Sequence, residues 1–374
     1  MTEAVSQSAG PRVSTGDAEV DRVLGDGLVP GSLVLLSGEP GIGKSTLVAQ
    51  IAAKVGGDKT VLYISGEESA SQLAGRFARL GASAEHVHFL EALHIETLVA
   101  TIEHTSPALA IVDSVQTLSS DSLDASAGTP AMVRYATSLL LELAKRTNIP
   151  VLLIGQVTKD GAIAGPKTLE HLVDVVVSLE GDPLHSYRLL RASKNRFGAT
   201  GEVGVFEMIE SGLRAVANPS AMFLSERTDT AGSVIAAAVE GSRVFLVEVQ
   251  SLVEKSSFGT PVRRASGFDQ NRLQMLCAIL SKRAGLKLGE SDVYVNVIGG
   301  LQLEEPAADL AVCAAIIGAY KGTVAGPVLY VGEVGLGGEV RSVHGLERRT
   351  TEAKRMGIET WVGPGRVKTL KDLL

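Results

Sequence analysis

A doubly wound α/β sheet is the fold class this sequence predicts for residues 13–217, and three observations predict it. Short apolar runs of strand length recur without polar alternation, as strands of a parallel sheet covered on both faces should read. Stretches of helical length separate them. The first run leads directly into a glycine-rich loop followed by a helical stretch, which is the βαβ rhythm of such sheets.

In chain order, residues 1–12 are small and polar and read as a disordered tail. The apolar runs are Leu33–Leu36, Val61–Ile64, Leu109–Val112, Val151–Ile154 and Val175–Leu179. Helices are predicted over Thr46–Val55, Ser69–Leu80 and Pro130–Arg146. After Asn218-Pro219 the texture changes. Two strands, Gly232–Glu240 and Arg243–Val253, flank the turn Glu240-Gly241-Ser242-Arg243, a hairpin signal. Helices over Asn271–Ala284 and Ala307–Ala319 enclose a strand, Asp292–Ile298, so residues 218–374 read as an α+β second domain. Charge divides at the same place. Seventeen basic and 25 acidic residues precede Asn218, against 18 and 17 from there on.

A length of 374 residues accommodates two domains, each with its own core. Aromatic residues make up only 4% of the chain, which argues against base stacking as a principal nucleic-acid contact. A net charge of −7 means that any nucleic-acid binding must use local basic patches. Cys277 and Cys313 lie in apolar runs of helical spacing and read as buried free thiols, with no CxxC metal pair. No leader-like segment and no apolar run of transmembrane length is present, so a cytoplasmic location without membrane contact is expected.

The chemistry begins at Gly38-Glu39-Pro40-Gly41-Ile42-Gly43-Lys44-Ser45, which fits G-x-x-x-x-G-K-[ST]. Glycines let the backbone wrap phosphates, and N–H groups of the loop and of the helix start near Thr46 point at the anion. Lys44 is expected to reach the β- and γ-phosphates of ATP, and Ser45 to ligate Mg²⁺. Asp113 ends the apolar strand Leu109–Val112 and is the expected second holder of the Mg²⁺ shell. Past the strand Val61–Ile64 comes Ser65-Gly66-Glu67-Glu68. Glu67 is assigned as the base that activates water, with Glu68 as competitor; an acid pair favoured by a helix dipole is the plainer reading. Gln156 follows the strand Val151–Ile154 and could sense the γ-phosphate or simply cap the strand. Lys194 and Arg196 stand two apart, so on an extended segment both project to one side. Such cations can act as an arginine finger; a solvated basic turn is the alternative.

Taken together, these segments resemble the RadA/Sms family. The resemblance rests on Arg12-Val13-Ser14-Thr15-Gly16, the phosphate loop, Tyr63-Ile64-Ser65-Gly66-Glu67-Glu68-Ser69 and Val157-Thr158-Lys159-Asp160-Gly161. Ala164-Gly165-Pro166-Lys167-Thr168-Leu169-Glu170-His171 adds to it, and most specific is Lys194-Asn195-Arg196-Phe197-Gly198 followed by Gly204-Val205-Phe206-Glu207-Met208. The resemblance implies a RecA-like P-loop ATPase domain, DNA repair and recombination, and a homohexamer in which Lys194 and Arg196 act in trans. It further implies translocation on single-stranded and branched DNA, branch migration with the RecA recombinase, and contact with a replicative helicase. A RecA-fold regulatory ATPase that switches protein partners without DNA is the competing function. The family usually has His where Gln156 stands, and it begins with a four-cysteine zinc finger. No cysteine precedes Cys277, so zinc is not expected in this chain.

The second domain resembles the Lon protease domain through Tyr330-Val331-Gly332-Glu333-Val334-Gly335-Leu336-Gly337-Gly338-Glu339-Val340-Arg341. Ala307 stands at the nucleophile position and Arg349 at that of the lysine base. Alanine cannot attack a carbonyl and a guanidinium stays protonated, so proteolysis is not expected. RecA-like ATPases grip DNA with two loops, here about Ser119–Thr129 and Val157–Lys167. The first carries Asp121 and Asp124 and no cation, whereas the second offers Lys159 and Lys167. In the second domain Lys255, Arg263, Arg264 and Arg272 surround a Gly/Ser-rich stretch, as a DNA channel or as inter-subunit ion pairs.

Overall fold

The computed structural model describes residues 11–55, 59–91, 94–156, 169–181, 187–256, 259 and 261–374, without the side chain of Gln156. The tail expected over residues 1–12 falls outside them except for Pro11 and Arg12. Arg12 is anchored: its guanidinium donates to the Leu24 carbonyl at 3.0 Å and the Phe197 carbonyl at 2.7 Å. The loop carrying Lys159 and Lys167 also lies outside the described residues. The chain divides into two compact units between Val216 and Ala217.

The first unit opens with α1 (Ala18–Leu24), capped by the Asp17 carboxylate, which accepts from Glu19 N and Val20 N. Then follow β1 (Leu33–Gly38), α2 (Lys44–Lys54), β2 (Val61–Ser65), α3 (Ala70–Arg79), β3 (Val87–Leu90), α4 (Ile95–Thr105), β4 (Leu109–Asp113), α5 (Pro130–Thr147) and β5 (Val151–Gln156). The strands β6 (Val175–Glu180), β7 (Tyr187–Asn195), β8 (Val203–Ile209) and β9 (Gly212–Ala215) complete a nine-stranded sheet of order β3-β2-β4-β5-β1-β6-β7-β8-β9. The sheet is parallel from β3 to β6 and antiparallel from β6 to β9.

Why the central strands carry no polar alternation is visible in β1. Val34 and Leu36 pack with residues of α1, α2 and α3 on one face, while Leu33 and Leu35 pack with α4 and α5 on the other. Both side-chain directions of the pleat are therefore buried. Helix starts are fixed by local chemistry: Ser69 and Gln72 form a capping box on α3, and Thr129 caps α5 with Pro130 in its first turn. The α/β class is that expected. The extension β7–β9, the short β3 and the helices α1 and α4 went unforeseen; in β7 the charged Arg188 and Arg191 interrupt the apolar run.

In the second unit the described elements are α6 (Pro219–Leu224), β10 (Ser233–Glu240), β11 (Arg243–Lys255), β12 (Arg263–Ser266), α7 (Gln270–Ile279), β13 (Ser291–Val297), α8 (Asp309–Lys321), β14 (Val328–Tyr330), β15 (Glu333–Val334), β16 (Val340–Arg341), α9 (Leu346–Arg355) and β17 (Thr360–Val362). A six-stranded sheet runs β12-β13-β11-β10-β14-β17, and β15 pairs with β16 separately. The hairpin closes at Glu240↔Arg243, with Gly241 at φ 56° in the turn. The helix expected over Asn271–Ala284 is α-helical only to Ile279 and continues as a π turn, Leu280–Ala284. The one expected over Ala307–Ala319 begins two residues later, after a 3-10 turn at Pro306–Ala308. From Leu310 to Gly318 every residue of α8 is buried, as a helix apolar on all sides must be.

Candidate nucleotide site and nucleic-acid interface

Five sequence-predicted residues converge where the parallel strands end. β1, β2, β4 and β5 run side by side in register, with Ser65 beside Asp113 and Gly38 beside Gln156. Their carboxyl ends form the crevice in which ligands of open α/β sheets bind. Three phosphate-loop glycines sit in the left-handed region, Gly38 at φ 153°, Gly41 at φ 78° and Gly43 at φ 116°. A Cβ on Gly38 would stand 2.5 Å from the Leu179 carbonyl oxygen, and one on Gly43 would stand 2.6 Å from Met208 Cε. Glycine is thus required at both. Glu39, Pro40 and Gly41 are exposed, whereas Ile42 is buried in the core.

Lys44 is buried and donates to the carbonyls of Gly38 at 2.8 Å and Glu39 at 2.9 Å. Burial lowers its pKa, while the charges of Asp113 and Glu67 work in the opposite direction. Asp113 is also buried. Its pKa is raised, chiefly by desolvation and further by the negative charge of Glu67, against hydrogen bonds from Tyr63 and Ser45 that favour the charged form. Tyr63 Oη donates to Asp113 Oδ2 at 2.9 Å. The site therefore gathers a lysine, two carboxylates and the Ser45 hydroxyl around one loop.

The two adjacent glutamates have different surroundings. Glu67 Oε1 accepts from Ser114 Oγ at 2.6 Å, next to Asp113. Glu68 is held by both Arg76 Nε at 3.2 Å and Arg76 Nη2, though its charge too is felt by Asp113. Arg76 Nη1 also donates to Thr46 Oγ1 at 3.3 Å, tying α3 to the first turn of α2. Backbone N–H groups of Glu67 and Glu68 both point to Ser65 Oγ. Gln156 ends β5 beside Gly38, and its side chain is outside the described set.

An Mg²⁺ ion fits these donors. Among the described residues no group of three His, Cys, Asp or Glu side chains could hold a metal. Mg²⁺ does not need one, since it is bound by one or two protein oxygens plus substrate phosphates and water. Ser45 and Asp113 are such a pair.

Lys194 and Arg196 lie elsewhere. Asn195 pairs with Val175, and Val175 with Val34, so the end of β7 stands beside the beginning of β1. The phosphate loop leaves the opposite end of β1, roughly 15 Å away at about 3.3 Å per residue. Lys194 Nζ donates to the carbonyls of Glu170 at 2.6 Å and Val173 at 2.8 Å, and Arg196 pairs with Asp174 at 3.5 Å. Both cations thus converge on one turn, as their spacing suggested. Lys194 has a lowered pKa, from burial first and the neighbouring Arg196 second. Asp174, buried, also accepts from Leu33 N at 3.1 Å and from Lys145 at 2.7 Å, while Lys145 lies 5.5 Å from the Phe197 ring centroid. Sequence reading missed Asp174, Tyr63, Ser114 and Arg188. An arginine inside the apolar run Tyr187–Leu190 was a usable signal for the last of these; the others carry none.

In the second unit the expected basic cluster divides. Arg272 Nε donates to Asp309 Oδ1 at 2.9 Å and its Nη2 to Asp309 Oδ2 and the Val334 carbonyl. Arg263 is occupied by the carbonyls of Val262, Ser291 and Leu288. Both guanidiniums are thus engaged within their own unit. Lys255 and Arg264 are exposed, on strands either side of β13. Ala307 is buried, and Arg349, also buried, donates to Ala237 O, to Glu305 Oε2 and to His344 O.

Residues 11–162 match the family described as AAA domain. The DNA repair protein RadA of Halalkalibacterium halodurans is 47% identical over 363 residues, covering 96% of this chain and 79% of that protein. RadA of Bacillus subtilis is 46% identical over 364 residues, covering 96% and 80%, and RadA of Aquifex aeolicus is 46% identical over 349 residues, covering 93% and 79%. The crystal structure of the RadB recombinase aligns with 54% of this chain and 99% of its own at 25% identity and a TM-score of 0.44. With a P-loop ATPase site at the strand ends and nearly half its residues shared with these relatives over almost its whole length, the chain belongs to the RadA family of DNA repair proteins.

Proposed function

We propose that this protein is an ATP-driven motor of DNA repair and recombination, assembling as a homohexameric ring that moves on single-stranded DNA and promotes branch migration with a recombinase. One observation carries the reading. The phosphate loop and the pair Lys194/Arg196 lie at opposite ends of the sheet, too far apart for these cations to meet the nucleotide of their own loop, which supports a role toward the nucleotide of a neighbouring copy. In this reading Glu67 takes the proton of the attacking water, because it sits beside Asp113 while Glu68 is neutralised by Arg76. Lys44 and the loop N–H groups hold the phosphates. Ser45 and Asp113 would hold Mg²⁺, which would supply charge neutralisation for the phosphate oxygens. Gln156 reports the nucleotide state to the following loop, whose Lys159 and Lys167 meet DNA phosphates. A cytoplasmic location belongs to this reading through the DNA it would act on. Among the described residues no helix is long and apolar enough to cross a membrane.

Support for an inactive Lon-like platform in the second unit comes from Arg349. Its guanidinium is buried and bonded to Glu305, so it has neither a lone pair to act as base nor room to move.

The deciding experiment is the ATPase rate with and without single-stranded DNA, on the native chain and on Lys194→Ala and Arg196→Ala. DNA stimulation of the native chain, and a loss of turnover of about 10³-fold in the variants with nucleotide binding retained, is the expected result. Hydrolysis indifferent to DNA would favour the partner-switching ATPase instead. Reversing Lys255 and Arg264 to Glu is expected to weaken DNA binding and to flatten its dependence on salt, since every cation withdrawn from a phosphate lowers the slope by about one unit. Unchanged affinity and slope would take the second unit out of the DNA path.

A further inference from the structure

Arg188 lies inside β7, buried to 5% exposure, between Tyr187 and the apolar pair Leu189 and Leu190. A guanidinium at such a place needs a purpose, since burying a charge is costly without acceptors. Its Nε donates to the carbonyl of Ile42 at 3.0 Å, and its Nη1 to the carbonyl of Tyr187 at 2.7 Å. Ile42 is buried, in a phosphate loop whose residues Glu39–Gly41 are exposed.

We infer that Arg188 is a positioning residue for the phosphate loop, acting through the Ile42–Gly43 peptide on nucleotide affinity; the inference rests on the ATPase reading above. A trans peptide is planar, with its C=O and N–H pointing in opposite directions. Fixing the Ile42 carbonyl towards β7 therefore fixes the Gly43 N–H away from β7, into the cradle where a phosphate oxygen is received. Gly43 sits at φ 116°, a conformation open to few alternatives for any other residue, yet glycine by itself leaves this peptide free to turn. The buried guanidinium removes that freedom. The loop carbonyls of Gly38 and Glu39 are instead held by Lys44, which must leave them to reach a phosphate. Arg188 reaches the loop from β7, with its bond on the Ile42 carbonyl, and can keep that bond while nucleotide binds. Its charge also lies close enough to the loop to favour a polyanion in it.

The test uses the full chain, with a fluorescent ATP analogue for direct binding and steady-state hydrolysis for KM and kcat, on native protein, Arg188→Lys and Arg188→Gln. Arg188→Gln is expected to raise both the dissociation constant and KM about tenfold, the low end for losing a charge-assisted hydrogen bond, with kcat changed less than about threefold. Arg188→Lys keeps the charge and a donor and should recover part of the affinity. Thermal melting of each variant separates loop positioning from general loss of fold. Equal nucleotide affinity in the native chain and both variants, or weakened binding that follows the melting temperature and is not rescued by lysine, overturns the inference. Native protein that binds no nucleotide would instead overturn the ATPase reading on which it stands.

Discussion

Glu67→Gln is expected to lower ATP turnover by about 10²-fold or more while nucleotide still binds, the effect of removing a general base. The amide keeps the size of the side chain and can still accept from Ser114 Oγ, so the fold around Asp113 is conserved. It also removes a negative charge from beside Asp113, whose pKa is raised in part by that charge, and from near Lys44. Nucleotide affinity should therefore hold or improve. Glu68→Gln is the control. Its carboxylate is neutralised by Arg76, which also bonds Thr46 in the phosphate-loop helix, so its loss should cost severalfold in turnover and little more. Single-turnover hydrolysis with a separate binding titration distinguishes the two. A larger loss in Glu68→Gln would transfer the role of base to that residue and leave Glu67 as a partner of Ser114.

Arg272→Met should destabilise the second unit by about 3–5 kcal/mol, the usual consequence of leaving one member of a buried ion pair alone. Asp309 is 1% exposed, and Arg272 covers both of its oxygens while Val334 N donates at 3.1 Å. The pH dependence has a definite sign. Burial, the largest cause, holds the Asp309 carboxyl above its ordinary range even with Arg272 present. The folded form therefore prefers the proton more than the unfolded chain does. Stability from this group is complete below the ordinary carboxylate range and declines as pH rises through its folded value. Without Arg272 that folded value moves further up, so the deficit of the variant should be larger at about pH 7 than at about pH 5. Urea titration at the two pH values measures it, and Arg272→Met combined with Asp309→Leu should regain most of the loss. A single variant as stable as the native chain would return Arg272 to the surface chemistry its sequence neighbourhood suggested.

That contrast shows what the sequence discloses. The phosphate loop was legible because its chemistry demands contiguous residues at fixed spacing, and the parallel core because strands such as Leu33–Leu36 must bury both faces. Asp113 was legible as the carboxylate at a strand end. The assignment of Glu67 over Glu68 has no reason in the sequence, because their different surroundings come from Arg76, a full helix turn and more beyond them, and from Ser114, which follows another strand. A cluster of cations such as Arg263, Arg264 and Arg272 reads the same in sequence whether it faces solvent or an internal carboxylate. Only burial separates them. The antiparallel extension β7–β9 was lost for a related reason: Arg188 and Arg191 interrupt its apolar pattern, and at least the first does so to hold the phosphate loop.

If, as proposed, the Lys194 end of β7 serves a neighbouring copy while its Arg188 end supports the chain's own loop, each working site needs pieces of two polypeptides. That arrangement has a combinatorial consequence. On that proposal, chains inactivated at Lys44 and chains inactivated at Arg196 are each expected to be dead alone. Mixed before assembly in equal amounts, they place an intact loop opposite an intact finger at about a quarter of randomly formed interfaces. Recovered activity near that fraction reports sites that fire independently, and recovery far below it reports sites that must fire in succession around the ring.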